Sequence, residues 1–271
     1  MTSTSESMPA EVRRERMLSL VQDQDFVRIA ALAEAFGVSV VTVRGDLDAL
    51  EAQGLIRRVR GGARSVPLGL QSEPSFEQSL GSSALEKVAI AKAATALVTS
   101  GQSIVIDAGS TTAFFARELV ARRDLTDLVV FTNSLSAAHE LEPAVPRFTV
   151  VLSGGTLRSL QHSLVDPMGG RILENIHADI AFLSCSGIHP ETGVTNINIA
   201  EAEMKIRMLR ATSRHILLAD SSKLDRTDLA PVCPLSDIDL LITGDAADET
   251  ALSRLRDRGL STEIATLSGR G

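Results

Sequence analysis

Two different apolar rhythms divide the chain. Between residues 12 and 64, apolar positions recur at helical spacing in short blocks. Met17, Leu20 and Val21 share one side of a first helix, Phe26-Val27-Arg28 reads as a short strand, and Ile29–Phe36 reads as a compact helix closed by Gly37. Val43, Leu47 and Leu50 then fall at i, i+4 and i+7, one apolar stripe facing a core. Ser39 precedes that stripe as an N-cap, its hydroxyl placed to accept from a first-turn amide. Gly54 stands at the C′ position where helices commonly end. Residues 55–64 mix Leu55, Ile56 and Val59 with Arg57, Arg58, Arg60 and Arg64 around a Gly61-Gly62 reversal. Helix, short turn, Ser-capped helix and basic ribbon make a winged helix-turn-helix. The competing pattern is a small three-helix packing module with a solvated charged face.

From residue 84 onward, amphipathic segments alternate with short runs that are apolar throughout. Helices are expected at 84–98, 112–120, 134–141, 201–211 and 247–258. Strands are expected at Ser103–Ile106, Leu128–Thr132, Phe148–Leu152, 180–184, 215–219 and 240–243. Strands without polar alternation, separated by helices, indicate a mainly parallel sheet covered on both faces. The fold class is therefore α/β: a winged helix-turn-helix domain at 8–66, a Pro-, Gly- and Ser-rich linker at 67–83 with Phe76 as its apolar anchor, and an α/β domain at 84–271.

In such sheets ligands bind beyond the carboxyl ends of the strands, and those ends carry suitable groups. After the first strand come Asp107, Gly109, Ser110, Thr111 and Thr112, where glycine permits close approach and a helix start offers unpaired amides to an anion. An ordinary N-cap turn is the competing account, and the absence of GxxxxGK[ST] argues against a nucleotide P-loop. Thr132 and Asn133 end the second strand, Gly154 and Gly155 follow the third, and Asp220 and Lys223 follow the fifth. Asp220 and Lys223 could instead form a surface ion pair worth about 0–1 kcal/mol. Glu201 and Lys205, four residues apart, could likewise support each other on a helix surface at about 0.2–0.5 kcal/mol.

Charge sharpens the division. The chain of 271 residues carries a net charge of −7, yet residues 8–66 hold nine arginines against eight acidic residues, and no acid stands between Glu51 and Glu73. Residues 67–271 hold 18 basic and 25 acidic residues. Binding of a polyanion thus depends on the local basic patch rather than on overall charge. Cys185 and Cys233 lack metal spacing and read as thiols of a reducing cytosol. No signal-peptide core or membrane-length run is present, so a cytoplasmic protein is expected. His139, His162, His177, His189 and His215 have no paired zinc spacing, and neither metal nor cofactor is expected. With no Trp or Tyr, base stacking on large aromatics is a poor mode for this chain.

The stretch VSVVTVRGDLDALEAQGLIRRVRGGA resembles the signature of the DeoR family of bacterial repressors, through Val38, Ser39, Thr42, Val43, Arg44, Asp46, Leu47, Leu50, Glu51, Gly54, Leu55, Arg58, Gly61, Gly62 and Ala63. It departs at Gly45, where the family usually has a second arginine, and at Arg60, where it usually has histidine. A mid-helix glycine costs about 1 kcal/mol relative to alanine. The motifs DAGSTT, TNS, LSGGTLR, DIAFLSCSGI, ETGVT, EAEMK and DSSK extend the resemblance to the family's effector-sensing domain. His189 stands where the family commonly has aspartate.

The resemblance implies a sensing domain similar to ribose-5-phosphate isomerase and coenzyme A transferases, with a phosphorylated sugar or related metabolite as effector. Gly109, Ser110, Thr111 and Thr112 would hold the phosphate. Asp107, Thr132, Asn133, Gly154, Gly155, Glu201, Lys205, Asp220 and Lys223 would complete the pocket. Capped by Ser39, the second helix would bring Thr42 and Arg44 to base edges of double-stranded operator DNA. Arg57, Arg58, Arg60 and Arg64 would contact phosphates or the minor groove. The expected assembly is a homodimer or homotetramer acting as a repressor. The alternative is a sugar-phosphate isomerase-like enzyme with an accessory winged helix, which needs a positioned general base. The comparable loop here, Ser186-Gly187-Ile188-His189, lacks a carboxylate and leaves Glu201 alone, so a binding-only regulator is the reading adopted.

Overall fold

A computed structural model describes residues 9–24, 26–52, 55–65, 73–166 and 168–267. Gly54 and most of the expected linker therefore lie outside the described residues. The chain divides into two compact units, 1–74 and 75–271.

The first unit runs α1 (Ala10–Gln24), β1 (Phe26–Arg28), α2 (Ile29–Phe36), α3 (Val40–Ala52), β2 (Ile56–Val59) and β3 (Gly62–Ser65). Gly37 ends α2 in the left-handed region, φ 61°, which frees the chain to turn into α3. There the Ser39 hydroxyl accepts from the Thr42 amide at 3.1 Å, as an N-cap should. The three strands pair antiparallel in the order β1-β3-β2, so β2 and β3 form the wing. Gly62 is required where β3 crosses β1, because a Cβ there would sit 2.4 Å from the Val27 carbonyl oxygen. Met17, Leu32, Val43 and Leu47 are fully buried in one core.

Asp46, which the periodicity puts off the apolar stripe, is only 5% exposed. Its carboxylate accepts from Arg13 Nε at 2.6 Å and from Arg14 Nε at 3.1 Å. The bond to Asp46 also raises the Arg13 pKa, against the opposing pull of burial. Those two arginines tie α1 to the back of α3 rather than serving a partner.

The second unit begins with α4 (Phe76–Gly81) and α5 (Ala84–Thr95). It continues through β4 (Ser103–Ile106), α6 (Ser110–Ala121), β5 (Leu128–Thr132), α7 (Leu135–Leu141) and β6 (Phe148–Leu152). A hairpin of β7 (Thr156–Arg158) and β8 (Ser163–Val165) follows, then β9 (Ala178–Leu183), β10 (Gly187–His189), β11 (Gly193–Asn196) and α8 (Ile199–Arg210). The unit closes with β12 (Thr212–Leu218), β13 (Ala230–Cys233), β14 (Leu240–Gly244), α9 (Glu249–Asp257) and β15 (Thr262–Ala265). Among these described residues no helix is long and apolar enough to cross a membrane.

Seven strands form one all-parallel sheet in the order β15-β14-β12-β9-β4-β5-β6. Alternate residues of each strand enter opposite cores. Ile104 and Ile106 pack with Ile90, Phe115 and Leu119 of α5 and α6, while Val105 packs with Met204 and Met208 of α8. From β4 the chain winds outward through β5 and β6; from β9 it winds the other way through β12, β14 and β15. The adjacent pair β4 and β9 is therefore the switch point, where diverging loops leave a crevice at the carboxyl ends. A second, three-stranded sheet (β10-β11-β13), the β7–β8 hairpin and the edge strand β15 were not among the expected elements, because their short segments mix polar and apolar residues and lack the continuous apolar run that marks a strand such as β4.

The structure also corrects the linker boundary. Ser75 and Gln78 form a reciprocal capping box at the start of α4, with bonds of 3.2 and 2.8 Å. Phe76 is 7% exposed and stacks on His162 at 4.8 Å. Residues 75–81 thus belong to the second unit.

Asp46→Ala is expected to lower the stability of the first unit by about 1–3 kcal/mol, since two guanidinium groups lose a buried acceptor. Hydrogen exchange on the full chain should show faster exchange in α1 and α3 and unchanged protection in β4 and β9. Equal protection of α1 and α3 in both proteins would refute the anchoring role.

Candidate functional site

The crevice between β4 and β9 is built around a buried ion pair. Asp107, directly after β4, is 2% exposed and Lys205, in the middle of α8, is 1% exposed. Lys205 Nζ donates to Asp107 Oδ2 and, at 3.1 Å, to Ser184 Oγ. The same Asp107 oxygen accepts from the Ser184 amide at 3.0 Å and the Ser184 hydroxyl at 2.7 Å. Two adjacent strand ends and one helix are thereby locked together. Gly109 completes the junction, because a Cβ there would stand 2.6 Å from Ser184 Oγ. Beyond it α6 starts without a side-chain cap, so its first-turn amides at Ser110, Thr111 and Thr112 have no intrahelical acceptor. An unpartnered row of N–H groups at a helix start favours an anion.

Other expected site residues gather at the same edge through a second network. Glu201, one turn before Lys205, accepts from Ser163 Oγ at 2.6 Å and pairs with Arg158 of the hairpin. Asn196 Nδ2 reaches its other oxygen at 3.4 Å. Asn133 Nδ2 donates to the Leu164 carbonyl at 3.1 Å, while its Oδ1 is buried without a hydrogen-bond partner among the described residues. The alternative in which Glu201 and Lys205 pair on a helix surface is overturned: both are buried, and each holds a different partner.

On the far side of the crevice, Asp220 Oδ1 accepts from the Ser222 amide at 3.1 Å and from the Ser222 hydroxyl. Its Oδ2 lies 3.5 Å from Lys87 Nζ, close enough for an ion pair but not aligned as a hydrogen bond. Burial pushes the Asp220 carboxyl up, but Lys223, Ser222 and Lys87 together outweigh it and hold the group below the usual carboxylate range. The competing account, a surface ion pair of Asp220 with Lys223, does not hold: Asp220 is buried, and no ion pair joins the two among the described residues. Lys223 is half-buried, and its ammonium has no ion-pair partner among the described residues. Cys185, next to Ser184, is pushed up to about 12 by burial and feels the charges of Lys223, Lys205, Asp220 and Asp107.

Four expected ligand residues have other duties. Thr112 is fully buried and donates its hydroxyl proton to the Gly109 carbonyl at 3.0 Å. Thr132 donates to the Ile106 carbonyl at 2.7 Å and accepts from the Ser134 amide at 3.0 Å. Gly155, at φ 114°, packs against β8, where a Cβ would meet the Val165 carbonyl at 2.3 Å. Gly154, at φ 73°, supplies the left-handed turn into the hairpin.

Lys87 was missed in the sequence. It is 2% exposed, donates to the carbonyls of Ser79 and Ser82, and desolvation lowers its pKa against the pull of Asp220. The signal was present: Lys87 lies on one helical stripe with Ile90, Ala91 and Ala94, all buried, and a lysine on an apolar stripe asks for a partner. Glu86 beside it accepts from the Ser221 amide at 2.6 Å and hydroxyl at 3.0 Å. Ser184, Ser163 and Arg158 carried no comparable signal, since their partners come from distant strands.

In the first unit, Arg44, Arg57 and Arg60 are exposed and have no ion-pair partner among the described residues, and Arg64 is exposed as well. Arg58 departs from the expected uncompensated set. It pairs with Asp48, and its amide donates to Glu51 Oε1 at 2.7 Å. The hydroxyls of Ser39 and Thr42 bond each other at 2.9 Å.

Comparison with known proteins follows the same division. Residues 13–67 match the family model described as the DeoR-like helix-turn-helix domain, and residues 82–245 match the DeoR C terminal sensor domain. Among solved structures, ribose 5-phosphate isomerase A from Methanocaldococcus jannaschii overlaps 51% of this chain and 52% of that chain at 22% identity and a TM-score of 0.37. The HTH-type transcriptional regulator GolR of Listeria innocua is 34% identical over 256 residues, covering 93% of this chain and 98% of that protein. The lactose phosphotransferase system repressor of Streptococcus mutans is 32% identical over 249 residues, covering 92% and 97%. With both units matched in order and full-length relatives above 30% identity, the chain belongs to the DeoR family.

Proposed function

We propose that this protein is a cytoplasmic DNA-binding transcriptional regulator, a repressor of genes of sugar or related carbon metabolism. A phosphorylated sugar or similar metabolite, bound at the β4–β9 crevice, sets its affinity for double-stranded operator DNA. The observation that carries this reading is the pairing of unsatisfied groups within one chain. Arg44, Arg57 and Arg60, exposed and without an ion-pair partner among the described residues, stand on a Ser-capped helix and wing, and an uncapped helix start lies beside the buried Asp107–Lys205 pair at the switch point of the sheet. The relative named as a lactose phosphotransferase system repressor supports a carbohydrate signal. DNA reading is assigned to residues 8–66 and sensing to the α/β unit. A homodimer or homotetramer would span repeated half-sites. The effector changes DNA affinity only to the extent that it binds two arrangements of the protein unequally.

The isomerase-like alternative draws no support from the crevice. A general base must be free to take a proton, and here Glu201 is engaged by Ser163 and Arg158 while Asp107 is engaged by Lys205 and Ser184.

Arg57→Ala and Arg60→Ala should each weaken DNA binding across sequences and reduce the slope of log affinity against log salt by about one unit. Arg58→Ala should change the slope less, because Asp48 already holds that guanidinium. Equal slopes for all three variants and wild type would remove the wing from the interface. Gly45→Arg adds an exposed cation where a Cβ meets nothing within 4 Å. It should bind DNA more tightly and less selectively, and weaker binding in a gel-shift titration would count against that placement. Finally, one or more members of a sugar-phosphate panel should raise the melting temperature and change DNA affinity about 5- to 150-fold at saturation. Unchanged DNA affinity with every member would end the sensor half of the proposal.

A further inference from the structure

The start of α3 presents an exposed aliphatic side chain. Val41 is 77% exposed, on the face opposite the buried Val43, Leu47 and Leu50. That position gains nothing for folding: valine is a poorer helix former than alanine, and its methyl groups stand in water. Arg44 and Gly45 follow on the same face at i+3 and i+4. Gly45 has no side chain to lay over Val41, and Arg44 is exposed with no ion-pair partner among the described residues. Asp48, the next residue along this face, is closed off by Arg58. What remains is an apolar knob beside an unpaired cation, at the end of a helix that begins with a side-chain cap.

On a B-DNA duplex, one apolar group projects from a base edge into the major groove, the C5 methyl of thymine. Recognition helices bring their N-terminal residues to those edges, and Val41 is the second residue of α3. We propose that Val41 is a specificity-determining residue whose methyl groups pack on a thymine methyl in each operator half-site. Arg44 engages an adjacent acceptor edge or phosphate. Cytosine at the same place would set its N4 amino donors against an aliphatic surface that cannot accept a hydrogen bond, so discrimination against a C·G pair follows from the same contact. This inference rests on the DNA-binding reading above.

The test uses the full chain. Duplexes are selected from a random pool, and each thymine of the best site is replaced singly by deoxyuridine, which keeps base pairing and removes only the methyl group. For the wild-type protein, one thymine per half-site should show an affinity loss of about three- to tenfold on replacement. Val41→Ala, at an exposed position, should keep the circular dichroism spectrum and the salt slope of the wild type, yet bind the thymine and deoxyuridine duplexes equally. A deoxyuridine penalty that is the same in wild type and Val41→Ala, or absent at every thymine while binding persists, overturns the role of Val41 and leaves DNA binding standing. Failure to select any sequence overturns both.

Discussion

The second unit is organised by the cost of burying charge. Asp107 and Lys205 are taken out of water at the switch point of the sheet, and either one alone would be a severe penalty. Together with Ser184 they satisfy each other, and in doing so they fix three elements: the end of β4, the end of β9 and the middle of α8. The uncapped start of α6 begins three residues after Asp107, so its amides are held in register with this pair. A crevice whose walls are defined by a mutually dependent ion pair has little freedom to collapse, and that rigidity suits a binding site.

The surrounding polar groups extend the same logic outward. Glu201 binds the hairpin through Ser163 and Arg158, and Asn133 binds it through Leu164. On the other side, Lys87 holds the carbonyls of Ser79 and Ser82 while facing Asp220, and Glu86 holds Ser221. The helix that opens the sensing unit is thus in contact with both margins of the crevice: α4 touches His162 of the hairpin through Phe76 and Glu77, and its end is gripped by Lys87. The links made by Glu201, Asn133, Lys87 and Glu86 are buried or half-buried polar groups with specific partners, so each has one preferred geometry rather than a range of equivalent packings.

The first unit solves a similar problem on a smaller scale. Three short helices and a wing bury few residues, and Asp46 with Arg13 and Arg14 adds a fixed crossing between α1 and α3. That frees the opposite face of α3 from structural duty, which is why its residues can be glycine, arginine or an exposed valine. The pairing of Arg58 with Asp48 orders the cationic surface further, separating an arginine held within the unit from Arg57 and Arg60, which are not.

By itself the sequence determined the order and type of the main elements. Helical spacing of Val43, Leu47 and Leu50, the Ser39 cap and fully apolar strands are local signals, carried by neighbours in the chain and set by backbone periodicity. It also marked most strand ends that reach the crevice, since glycine and small polar residues after an apolar run have few other uses. What only the tertiary structure decided is which of those groups are available. Thr112 and Thr132 spend their protons on backbone carbonyls, Glu201 and Lys205 turn to separate partners, and Asp48 claims Arg58. Lys87 and Asp220 lie more than a hundred residues apart in the chain yet meet as a buried ion pair. A hydrogen-bonding group is spent or free according to what lies within about 3 Å of it, and that neighbourhood is fixed by packing between distant segments, on which local spacing is silent.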